Sequence, residues 1–60
     1  MSIAIPELET VYDALAQAID AVDPAKRELF LVKLALLAAN EIESAATFNT
    51  LIAQAQVFED

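Results

Sequence analysis

The side chains able to do acid–base or metal chemistry in this 60-residue chain are, above all, ten carboxylates, because it has neither histidine nor cysteine. Two carboxylates can divide the roles of general acid and general base only where they converge on one site. Glu9 and Asp13 are four residues apart and are neighbours if the segment is helical, whereas Glu41 and Glu43 are two apart and face away from each other. The first pair belongs to a helix side that also carries Glu7 and Asp20, which reads as a solvated face. An oxygen-ligand cation site needs carboxylates converging on a loop, and no EF-hand-like spacing is present. Lack of histidine removes the commonest general base at neutral pH and the commonest transition-metal ligand. Lack of cysteine removes thiolate sites and disulfides, and lack of glycine leaves no phosphate-cradling loop. The expectation is a protein that is not an enzyme, with no catalytic residue, metal or cofactor.

One polar pattern invites a more specific reading. Lys26, Lys33 and Asn40 are spaced by seven, so on a helix they form one stripe drifting by about 20° per heptad. Such a stripe could line a ligand groove or fix register in an oligomer. It could equally be a narrow solvent-facing strip, with Lys33 running its methylenes over apolar neighbours. Burial without a partner would cost on the order of 1–3 kcal/mol for the asparagine amide, and more for the charge. A buried Lys33 must therefore meet an acid from the first helix or from another subunit. Asn40 ends the apolar run and could also cap backbone groups between the second and third helices.

The elements that position these residues follow from hydrophobic periodicity. Pro6 and Pro24 are the only prolines, and each sits where a helix can start, since a first-turn N–H has no intrahelical acceptor anyway. After Pro6, Leu8, Val11, Tyr12, Leu15, Ala18, Ile19 and Val22 recur at helical spacing with acids between them, predicting an amphipathic helix over Pro6 to Ala21. Asp23 is a good N-cap, and Pro24 after it forces the first helix to end by about Val22. So short a link makes the first two helices antiparallel neighbours in a helical hairpin.

The second helix runs from Pro24 to about Ile42, and Leu29 to Ala39 leaves it almost no polar face. A helix apolar all round is buried or spans a membrane. Lys33 and the closing Asn40-Glu41 leave it short of the about 20 apolar residues needed to span, so it reads as a core helix contacted on more than one side. Ser44 can cap a third helix carrying Phe48, Leu51, Ile52, Ala55 and Phe58. The resulting class is all-α, a three-helix domain built as a helical hairpin plus a third helix in one unit over 1–60. The alternative is a long two-helix hairpin, with one continuous rod of about 50 Å from Pro24 onward.

Bulk composition points to a partner chain. A chain this short buries only about 60% of its unfolded surface, and 58% hydrophobic content exceeds the about 45–50% usual for globular domains. With disulfides and thiolate metal sites excluded, association is the remaining staple. The expected partner is a second copy, most simply in a dimer, joined by apolar faces of helices 2 and 3. The candidate interface residues are Phe30, Leu34, Leu37, Phe48, Leu51 and Phe58. A formal charge of -7 opposes binding to nucleic acid or an anionic membrane surface. The opening MSIAIPELE lacks a basic n-region, so no secretory signal is expected and the cytoplasm is the expected location.

The segment LVKLALLAANEIES, followed by another apolar helix, resembles a family of very short proteobacterial domains of unknown function. Its members carry a Leu-rich helix ending in a Leu-Leu-x-Ala-Asn-x-Ile motif, then a Gly-Asp turn and a further helix. Leu36, Leu37, Ala39, Asn40 and Ile42 match the motif, and VYDAL fits the aromatic-containing first helix. Glu41 stands where the family often has histidine, and Glu43-Ser44 replaces the Gly-Asp turn. The resemblance implies a bacterial helical protein and brings no activity with it. It also implies an accessory role as the alternative function, a subunit binding an enzyme such as a flavin monooxygenase of aromatic breakdown. A small-molecule module using a pocket between helices is a further alternative.

Overall fold

The computed structural model describes residues 3–58, which form three α-helices and no strand. Helix α1 covers Ile5–Ala21 and begins one residue before Pro6, with the proline in its first turn. Val22 is extended, and Asp23 leaves helical geometry with ψ 128°, as a residue before proline requires. The Asp23 side chain accepts from the Ala25 N–H at 3.0 Å, the capping role expected of it. What it starts is a 3-10 turn, Pro24–Lys26, closed by the Lys26 N–H donating to the Asp23 carbonyl at 2.7 Å. Helix α2 proper then covers Arg27–Ile42, so its α-helical part starts three residues later than the proline predicts.

The break after Ile42 decides between three helices and a continuous rod in favour of three. Glu43 takes the left-handed conformation, φ 62° and ψ 18°, and its N–H donates to the Ala39 carbonyl at 3.0 Å. This is the αL ending of a helix, usually made by glycine. The chain has no glycine, so a glutamate occupies the position that glycine usually fills. Ser44 follows in extended geometry, and its Oγ accepts from the Thr47 N–H at 3.1 Å to open α3, Ala45–Ala55. Left-handed geometry costs a residue with a Cβ roughly 1–2 kcal/mol. Replacing Glu43 by glycine is therefore expected to raise stability by about 0.5–1 kcal/mol after the entropy of glycine is subtracted. A higher urea midpoint at unchanged helicity checks it, and an unchanged or lower midpoint refutes it.

Helix α3 ends at Ala55, where the Gln56 and Val57 N–H groups turn back onto carbonyls of residues 52–54. Phe58 therefore lies beyond the helix whose spacing it seemed to continue, and it is 84% exposed.

Packing between helices departs most from expectation. Antiparallel neighbours have axes about 8–10 Å apart, yet among the described residues no two Cα atoms twelve or more positions apart come within 8 Å. The link between α1 and α2 is as short as the sequence implies, but the arms diverge from it. Leu15, Ala18, Ile19 and Val22, near the link, are half-buried, while Leu8, Val11 and Tyr12 farther along α1 stand exposed. No described residue is buried. Helix α2 is thus not an enclosed core helix within this single chain, because neither arm folds down over it. The radius of gyration, 12.9 Å, exceeds the about 10 Å of a compact 60-residue domain.

Candidate functional site

Arg27 makes three side-chain hydrogen bonds to backbone carbonyls, the most of any described side chain. Its Nε donates to the Ile19 carbonyl at 2.7 Å and to the Val22 carbonyl at 3.2 Å, and its Nη2 donates to the Asp20 carbonyl at 3.4 Å. Helix α1 has no basic residue in its own last turn, so the guanidinium from the next element satisfies its orphan carbonyls and sits at the negative end of its dipole. Five donors in a planar fork suit this task better than an ammonium. The sequence pattern did not single out Arg27. A cation just past a proline-marked link, after a helix ending without one, was the available signal.

The proposed stripe runs along one side of α2 and borders two hollows. Lys26 and Lys33 are both exposed and line one groove of about 270 Å³ along α2, with Leu29, Phe30, Leu34 and Leu37. Asn40 is also exposed, but it belongs to a different hollow beside the α2–α3 turn, with Glu41, Glu43 and Asn49. Capping at that turn is supplied by Ser44 and the backbone, and Asn40 makes no side-chain hydrogen bond among the described residues. Glu9 and Asp13 lie exposed along α1, and no group of three or more acids among the described residues could hold a metal ion.

The candidate interface residues fall into two sets. Phe30, Leu34 and Leu37 share the groove bordered by the lysines, and Phe30 and Leu34 also face the cleft toward α1 with Val11 and Leu15. Phe48 and Leu51 of α3 line a second apolar cleft with Val32, Leu36 and Ile52. Phe58 lines neither. Leu34 is 39% and Leu37 66% exposed, although both belong to the most apolar segment of the chain. No helix of the described residues is long and apolar enough to cross a membrane.

No protein-family model, curated protein or solved structure matches the chain. The surface along α2 carries three apolar hollows, the lysine-bordered groove, the cleft toward α1 and the cleft toward α3, and each is open to solvent.

Proposed function

We propose that this protein is a non-enzymatic interaction domain that completes its fold by pairing with a second copy through the apolar faces of α2 and α3. The observation that carries the reading is exposed area. A compact 6.5 kDa monomer exposes about 3,800 Å², whereas this chain exposes 5509 Å². Burying the excess of roughly 1,700 Å² on each of two copies makes an interface within the 2,000–5,000 Å² or so of obligate homodimers. The acidity supports solubility of so apolar a chain, since like charges limit indiscriminate association. A cysteine-free composition suits a reducing, cytoplasmic compartment.

Analytical ultracentrifugation tests the reading. At micromolar concentration the protein is expected to sediment at twice its 6.5 kDa mass, with a melting temperature that falls on dilution, as mass action requires when folding and assembly are coupled. A folded 6.5 kDa species whose melting does not depend on concentration would overturn it.

A further inference from the structure

We propose, building on the homodimer reading and adding α1 to its interface, that the groove bordered by Lys26 and Lys33 on the apolar face of α2 receives helix α1 of the second copy in antiparallel orientation, with Lys33 meeting its Asp13 and Lys26 its Asp20. The chain has three cations, and Arg27 is engaged by the carbonyls at the end of α1. The two lysines remain, exposed beside an apolar groove. Lys26 and Lys33 are seven residues apart, and so are the exposed Asp13 and Asp20 on α1. Seven helical residues rise about 10.5 Å, so the two charge pairs can be made together. In that register Tyr12 lies opposite Leu34, and Leu8 lies near Leu37. Tyr12 is 71% and Leu8 51% exposed, and neither lines the cleft between α1 and its own α2, to which α1 contributes Val11, Ala14, Leu15 and Ala18. The groove thus offers an apolar floor with positive charge, and α1 offers an apolar edge with negative charge.

In a two-fold dimer this contact occurs twice, each copy giving its α1 and receiving the other's. Lys33→Glu alone, or Asp13→Lys alone, places like charges opposite each other at both contacts. Either is expected to weaken dimerisation by about 10- to 100-fold. An equimolar mixture of the two single variants is expected to recover wild-type affinity as a heterodimer. There the two substituted positions meet each other at one contact, and the native Lys33–Asp13 pair is kept at the other. Sedimentation of each variant and of the mixture, with circular dichroism to follow helicity, reads the result. A wild-type dimer whose affinity neither substitution changes, or single variants that mixing does not rescue, overturns this inference and leaves the homodimer reading standing. Rescue only when both substitutions share one chain also overturns it, because the pair would then form within a chain. A monomeric wild type defeats the homodimer reading itself, and this inference falls with it.

Discussion

Leu37→Asp is expected to abolish assembly and, with it, most of the helical structure. The size of the effect depends on where Leu37 stands. It is 66% exposed in the single chain, and substitutions at such surface positions usually change stability by no more than about 0.5 kcal/mol. If the groove is covered by a second copy, the same change removes about 1.5–3 kcal/mol of leucine burial per chain. It also places a carboxylate where desolvation costs several kcal/mol. Two-fold symmetry doubles the loss. The two readings therefore differ by far more than the error of a denaturation experiment. Sedimentation and far-ultraviolet circular dichroism at one fixed concentration decide between them. Full helicity with an unchanged mass would show that the groove is solvent-facing in the working protein. Leu34→Asp is expected to act in the same way, since Leu34 lines both this groove and the cleft toward α1.

Arg27→Ala is expected to cost about 1.5–3 kcal/mol, the range for hydrogen bonds to a charged group. The substitution leaves the carbonyls of Ile19, Asp20 and Val22 without the side-chain donors they now have. It also removes a cation from the negative end of α1, whose own last turn has none. Arg27→Lys should recover only part of the loss, because a single ammonium cannot address three carbonyls as the fork does. Urea denaturation at equal protein concentrations measures both variants, the equal concentration being needed because assembly contributes to apparent stability. Equal midpoints for wild type and Arg27→Ala would show that the arrangement adds nothing.

Both predictions rest on features that differ in how readable they were. The helices were legible because they are local. Pro6 and Pro24 mark starts, the acids of α1 sit opposite its apolar residues, and Asp23 and Ser44 carry side chains suited to capping a first-turn N–H. The break after Ile42 was harder to read because no glycine or proline announces it. Only the left-handed φ of Glu43 shows how the turn is made. Arg27 escaped notice because its partners lie in the preceding helix, and a spacing rule within one helix cannot find them. Phe58 continued the apolar spacing on paper, but the backbone turns back at Gln56 and Val57 before reaching it.

By itself the sequence determined an acidic, glycine-free, all-helical chain with more apolar surface than 60 residues can readily enclose. Each of those properties depends on residue type and short-range order alone. Only the tertiary structure decided that the arms diverge from their short links. That divergence leaves the apolar sides of α2 open, and the turn after Ile42 gives Asn40 a different hollow from the two lysines. The reason is geometric: heptad spacing fixes which side of a helix a residue occupies, while the angle at a link fixes what, if anything, lies across from it.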